Sequence, residues 1–399
     1  MEELHKFPKE EYLERIEKLR GLMEEKGVDS VYLSSGISFA YFTGFAYLAT
    51  ERPACMIITK KGGITFMGPS VEKDHLFSQT DLVSEIRTYL DYPGDEHPAL
   101  LFSRCIKELK LPLRMGVESM QFYPSAYGYE GPEIREGLPD LTLVPMGSDI
   151  YRLRRIKSDN EIEAIRETIK WGNLAHTYLQ DYSADGRYEF EVSVEASLEA
   201  SIAMKRTLGK SYMQKRFLST PVEAVFMGQL GEHSAYPHSI SADRPMKHGD
   251  ILGTWAYADV EGYFSELERN MFLGEPDPKT YEFHQLLLKL QQTAFDAIVP
   301  GARGSDVDRA VHKFAKDHDL EKYLRHHSGH NIGLEMHEAP FLDVGDHTPI
   351  MPGMVFSVEP GIYVPKLGGF RHSDTVAMRE DGPEILTYYP RETVELIIE

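Results

Sequence analysis

Apolar and polar positions follow two different rhythms along this chain, and the change between them divides it. In residues 11–26, Tyr12, Ile16, Leu19 and Met23 recur at three- to four-residue spacing, which predicts an amphipathic helix. The run VDSVYLSS then reads as a strand, and ISFAYFTGF gathers small and aromatic residues around Gly44. In ACMIITKKGGITFMG two apolar runs flank Lys60-Lys61-Gly62-Gly63, the pattern of a hairpin. A helix over FSRCIKELK and strands at MGVES and LTLVPM follow. Strand and helix thus alternate to about residue 150, which predicts a small α/β domain.

Beyond that point the periodicity lengthens. Ser158 and Glu161 have capping-box spacing, so a long helix is expected to begin there. Further helices are predicted at EFEVSVEASLEASIAMKRTLG and TYEFHQLLLKLQQTAFDAI, with turn-rich strands over 249–275 and 350–388. Long helices with separate antiparallel strands predict an α+β second domain. The boundary falls between an N-terminal domain, 1–157, and a catalytic domain, 158–399.

Composition changes this picture only at its edges. A chain of 399 residues exceeds the usual single core, in keeping with two domains. The net charge of −20 argues against nucleic acid and anionic membranes as partners. Cys55 and Cys105 are too few for a disulfide framework and read as buried thiols. The N-terminus lacks the apolar stretch of a signal peptide, and no run reaches the ~20 apolar residues of a membrane span. A cytoplasmic protein is expected.

Candidate chemistry gathers in the second half. In SVEPGIYVP the acid Glu359 interrupts an apolar strand and precedes Pro360-Gly361; such a carboxylate is costly to bury without a cation or donors. Glu266 and Glu268 alternate in YFSELERN and share a face, with Arg269 opposite, where a solvated edge strand is the plain alternative. His330 and His337 flank GLEM in a glycine-punctuated stretch that His326 and His327 precede. His233 and His238 bracket SAYP, and Pro237 restrains the backbone before His238 as a positioned general base requires.

Together these segments resemble a known family. GHNIGLEMHEAP, PGMVFSVEPGIY and GGFRHSDTV are similar, in order, to the last three motifs of the creatinase/methionine aminopeptidase/prolidase ("pita-bread") fold, and RLRRIKSDNEIEAIR resembles its entry. The resemblance covers the whole chain, including an N-terminal domain of the creatinase–prolidase kind. Its metallopeptidases hold two divalent ions with two Asp, one His and two Glu. Aligned on those motifs, Trp255 stands at the first Asp and Glu266 at the second. His330 and Glu359 match, and Ser373 replaces the last Glu. An indole offers no lone pair to a metal, so the resemblance implies a metal-free centre with no cofactor, a mononuclear site on Glu266, His330 and Glu359 being the alternative.

Within the family the chain most resembles the ectoine hydrolases, a metal-free group. That implies opening of the cyclic amidine of ectoine, with hydroxyectoine a further substrate, to N-acetyl-2,4-diaminobutyrate. The implied roles are Glu266 as nucleophile, Glu359 orienting the ring and His238 shuttling protons. Trp255 stacks on the cation, His330 and His337 donate hydrogen bonds, and Arg52 reaches the substrate carboxylate across a homodimer. A deacetylase is the metabolic neighbour expected beside it. Creatine amidinohydrolase, a metal-dependent Xaa-Pro peptidase and a non-enzymatic scaffold are the alternatives.

Overall fold

The helix expected over 11–26 runs from Lys9 to Lys26 (α1) and buries Ile16, Leu19 and Met23. The computed structural model describes residues 7–120, 131–209, 212, 214–215, 220–242 and 244–399. They divide into two units, Phe7–Arg154 and Arg155–Glu399.

The first unit is built on six strands: β1 (Ser30–Leu33), β2 (Cys55–Thr59), β3 (Ile64–Pro69), β4 (Val83–Tyr89), β5 (Arg114–Val117) and β6 (Thr142–Pro145). Their order is β4-β3-β2-β1-β5-β6. The expected hairpin is β2–β3; β1–β2 is also antiparallel and the other pairings are parallel. Helices α2 (Gly36–Thr43), α3 (Lys73–Gln79), α4 (Pro98–Glu108), α5 (Ile134–Gly137) and α6 (Gly147–Arg155) join the strands.

The second unit opens at α7 (Asp159–Tyr182), where the expected capping box forms. Ser158 Oγ accepts from Glu161 N (3.1 Å), and the Glu161 carboxylate accepts from Ser158 N (2.9 Å). Helix α8 (Glu189–Leu208) follows, and α9 (Pro278–Ala297) is capped by Asp277. Helix α10 (Gly304–Asp317) was not anticipated, because GSDVDRAVHKFAKD is mostly polar. Val307, Val311 and Ala315, four residues apart, reach the core, and Phe314 packs against it in part.

The strands of this unit are β7 (Val222–Val225), β8 (Ile251–Gly253), β9 (Trp255–Ala258), β10 (Leu267–Glu268), β11 (Asn270–Leu273), β12 (Gly329–Asn331) and β13 (Glu338–Phe341). They continue as β14 (Val355–Val358), β15 (Gly361–Val364), β16 (Gly368–Arg371), β17 (Ser373–Arg379), β18 (Gly382–Ile385) and β19 (Ile397–Ile398). The main sheet has the order β13-β12-β14-β17-β10-β9-β7, with β18 beside β17. Strand β10 is therefore central, between β17 and β9, and the solvated-edge alternative for Glu266 and Glu268 is excluded.

Strand alternation then sorts the chemistry. Register pairs Leu267 with Ala256 and with Asp374, Glu268 with Ser373, Ser357 with Thr375, and His330 with Ser357. One face of the sheet thus carries Trp255, Glu266, Glu268, Ser373, Ser357 and His330. The other carries Arg269 and Asp374, joined at 2.7 Å, both buried. Arg269 also donates to the carbonyls of Ser373 (3.0 Å), Tyr389 (3.0 Å) and Pro390 (2.8 Å), while Asp374 accepts from Gln291 (2.9 Å) and Thr387 (2.6 Å). Nearby, a Cβ on Gly369 would lie 2.0 Å from the Ser234 carbonyl oxygen. Only glycine permits this crossing of β16 under the loop that leads to His238.

Two expectations follow for stability. Asp374→Asn leaves Arg269 buried without its counter-charge and should cost about 3–5 kcal/mol; a denaturant midpoint equal to that of the parent would contradict this. His176, His284 and His372 lie near Arg269, and burial first, then its charge, drives all three down, His284 to about 3. The unfolded chain takes up these protons near the ordinary value of 6.5 and the folded chain does not. Their stabilisation is whole above pH 6.5 and drains away as pH falls from there toward 3. His284→Gln should flatten that decline by up to about 1.4 kcal/mol per pH unit, read from melting midpoints between neutral and acid pH; parallel curves would refute it.

Candidate active site

Four elements bring the polar groups of the site face together. The Glu266 backbone is fixed by Thr375, whose Oγ accepts from Glu266 N and donates to Glu266 O, both at 2.9 Å. Its carboxylate accepts from Ser357 Oγ (3.0 Å), and Ser357 meets Ser373 Oγ at 2.5 Å. From β12, His330 Nε2 stands 3.2 Å from Glu359 and 3.7 Å from Glu266, while Nδ1 donates to the Asn331 carbonyl (3.2 Å). His337 stacks on His330 at 3.9 Å between centroids, 15° from parallel.

Glu359 lies where β14 ends and β15 begins, at the Pro-Gly step. It faces Arg371 Nε at 4.0 Å, and Arg371 forms a short ion pair with Glu268. Arg371 Nη1 further donates to Tyr363 Oη (3.3 Å), Tyr363 donates to His326 Nε2 (2.7 Å), and His326 Nδ1 donates to the His327 carbonyl (2.8 Å). Every donor in this chain points outward from the carboxylates, which fixes the guanidinium.

The acidities separate. Burial, then the charge of Glu359, raises the Glu266 carboxyl above its ordinary range. Burial acts on Glu359 too, but the His330 cation in contact at 3.2 Å, with Arg371, pulls it down to about 2. Against the burial of His330, Glu359 and Glu266 raise the imidazole to about 9. Glu359 is held ionised by the His330 cation, while burial makes Glu266 and, despite the Arg371 charge beside it, Glu268 bind protons more readily than an ordinary carboxyl.

A divalent ion can be held here, but not a pair by the usual ligands. Glu266, His330 and His337 offer ligand atoms all within 4.8 Å of one another, as do Glu266, Glu268 and Glu359. His330 Nε2 is buried and completes no well-aligned hydrogen bond despite facing two carboxylates. That geometry suits donors around a point, and the group that includes His330 would hold one ion on Glu266, His330 and His337. Trp255, in register opposite Glu268, and Ser373 offer no carboxylate, and Glu268 is taken up by Arg371.

Of the expected residues, Glu266, Glu359, His330 and His337 meet, and Trp255 shares their sheet face, tilted against Tyr257. His238 is exposed on its loop, and its charge is felt at His337. Arg52 lies in the N-terminal unit, on Asp91 (2.8 Å) and Glu51 (3.0 Å). Arg371, Tyr363 and Ser357 were missed, and Glu268 was singled out but given no role. Arg371 had a visible signal, a lone cation ending the strand GGFR, and Glu268 shared Glu266's face; Ser357 had none.

The model of metallopeptidase family M24 matches residues 163–380, and that of the creatinase/prolidase N-terminal domain matches 15–156. The chain belongs to metallopeptidase family M24. Among its relatives, the Xaa-Pro dipeptidase of Pyrococcus furiosus is 28% identical over 95% of this chain and 99% of its own length. The probable dipeptidase PepE of Mycobacterium tuberculosis is 27% identical over 98% of each. The Xaa-Pro dipeptidase structure from Bacillus anthracis superposes with a TM-score of 0.79 at 26% identity, over 97% of this chain and 99% of that one. The N-terminal domain of the FACT subunit SPT16 from Cicer arietinum matches at TM-score 0.73 and 14% identity, over 98% and 99%, a likeness of fold alone.

These relatives correct one expectation. A metal-independent ectoine hydrolase does not stand, because this M24 chain matches Xaa-Pro dipeptidases along its whole length and its site offers donors for an ion. The ectoine substrate and the neighbouring deacetylase rested on that reading. The pita-bread domain behind a creatinase-type N-terminal domain is the observed fold. Among the described residues no helix is long and apolar enough to cross a membrane.

The His330–Glu359 contact gives a direct check. In protein stripped of divalent ions, Glu359→Gln should bring the His330 titration down from about 9, read by NMR of the imidazole; an unmoved midpoint would refute the pairing.

Proposed function

We propose that this M24 protein hydrolyses the C–N bond of a small, dipeptide-sized substrate of the Xaa-Pro kind at a centre reduced to one divalent ion. The observation that carries this is the grouping of the ligand atoms of Glu266, His330 and His337 within 4.8 Å of one another, beside Glu359. Those three residues would hold the ion, which when bound would supply a Lewis acid for the carbonyl and a more acidic water.

The chain's own groups do the rest. Glu359, kept ionised by His330 and Arg371, orients the site. Glu266, with its raised affinity for protons, takes a proton at its carboxylate and returns it to the departing nitrogen. His238, exposed at the rim, exchanges protons with solvent. Trp255 supplies an apolar wall.

Turnover of Xaa-Pro dipeptides with added Mn²⁺, Co²⁺ or Zn²⁺ is the test. Activity should vanish on chelation, return at one ion per chain, and fall by about 10²-fold or more in Glu266→Gln. Full activity after exhaustive chelation, or a requirement for two ions, would overturn the reading. Trp255 and Ser373, where two carboxylates stand in the resembled motifs, favour a second reading, an amidinohydrolase of the creatine type. There a guanidinium group would lie between the carboxylates and against the indole. Creatine turnover without Xaa-Pro cleavage would select it.

A further inference from the structure

Lysine is almost never fully buried without a partner, and the Lys157 side chain is only 1% exposed. It enters the core directly before the Ser158 cap, where its own N donates to the Gly353 carbonyl (2.8 Å). Its ammonium meets the Glu338 carboxylate at 3.1 Å and makes a short hydrogen bond to Asn331 Oδ1. Asn331 ends β12, Glu338 begins β13, and register sets the two opposite each other. The ammonium therefore ties together both ends of the segment 332–337. Gly333 lets the lysine pass: a Cβ there would lie 2.8 Å from Lys157 Cε.

This segment joins two of the proposed ion ligands. His330 precedes Asn331, and its Nδ1 donates to the Asn331 carbonyl (3.2 Å), which leaves Nε2 for the site. Successive residues of a strand face opposite ways, so Asn331, tied down behind the sheet, turns His330 to the site face. His337 is one residue from the tie at Glu338 and stacks on His330 at 3.9 Å. The second oxygen of Glu338 accepts from Glu335 N (3.2 Å), inside the same segment.

We propose that Lys157 is a positioning residue for the candidate site, clamping the segment 332–337 so that His330 and His337 stay stacked beside Glu266. Its effect on an ion rests on the one-ion reading above; its effect on the segment does not. A buried ion pair by itself adds little net stability, because desolvation of both charges offsets their attraction. Here the ammonium reaches an amide as well as a carboxylate, and those two acceptors stand at the two ends of one loop. Methionine would fill a similar volume and make neither bond.

The test compares Lys157→Met and the double variant Lys157→Met/Glu338→Gln with the parent, all full length. Amide hydrogen exchange over 332–338, read by mass spectrometry in protein stripped of divalent ions, reports the segment. Calorimetric titration with Mn²⁺ reports the site. Both variants should exchange faster there and bind Mn²⁺ about 10–100-fold more weakly. The single variant should also melt lower, because Glu338 stays charged in a buried place, and the double variant should regain most of that loss. Where the single variant does not fold, the double variant carries the comparison. A double variant that regains parental exchange and Mn²⁺ affinity along with its stability would make the pair merely structural and overturn the proposal. So would a Lys157→Met protein with parental exchange. A parent that binds no Mn²⁺ counts against the one-ion reading, and the exchange rates then decide the clamp by themselves.

Discussion

The buried pair of Arg269 and Asp374 joins the two strands on which the candidate site depends. Six backbone and side-chain partners beyond the pair itself engage its donors and acceptors, as a charge out of water requires. Its neighbours in sequence, Glu268 and Ser373, point the other way because strand side chains alternate. The scaffold and the chemistry are therefore opposite faces of the same residues' backbone. A one-residue slip of β10 against β17 would exchange them, and the ion pair is what makes that slip costly.

On the site face, three carboxylates within reach of one another cannot all ionise cheaply. The structure divides the burden. Arg371 takes Glu268, His330 lies nearest Glu359, and Glu266 accepts from the Ser357 hydroxyl with His330 farther off. The hydrogen-bond chain through Tyr363 to His326 keeps the guanidinium from turning to Glu266 instead. The difference in acidity between Glu266 and Glu359 thus follows how closely each one meets the His330 cation. Both are buried.

Much of this was readable from residues and part was not. Glu359 stood out because a carboxylate inside an apolar run needs a reason, and Ser158 with Glu161 announced the start of α7. The shared face of Glu266 and Glu268 followed from period two. Whether their strand lay at an edge or in the middle could not, since that depends on β9 and β17, over a hundred residues apart in the chain. The same distance hid the pairing of Arg371 with Glu268. Helix α10 was masked by its polar surface. Trp255 and Ser373 bring no carboxylate to the site, and a metal-free chemistry read from them went further than the M24 relatives allow.

Glu161 has a consequence beyond capping. Its carboxylate closes the first turn of α7 and also accepts from Tyr263 Oη (2.5 Å), at the turn between β9 and β10. The helix start and the hairpin that delivers Glu266 therefore share a single group. Neither can open alone without stranding a buried partner of the other. Fraying, which ordinarily begins at a helix end, is here coupled to unzipping of the hairpin, and the two segments form one cooperative unit of local unfolding.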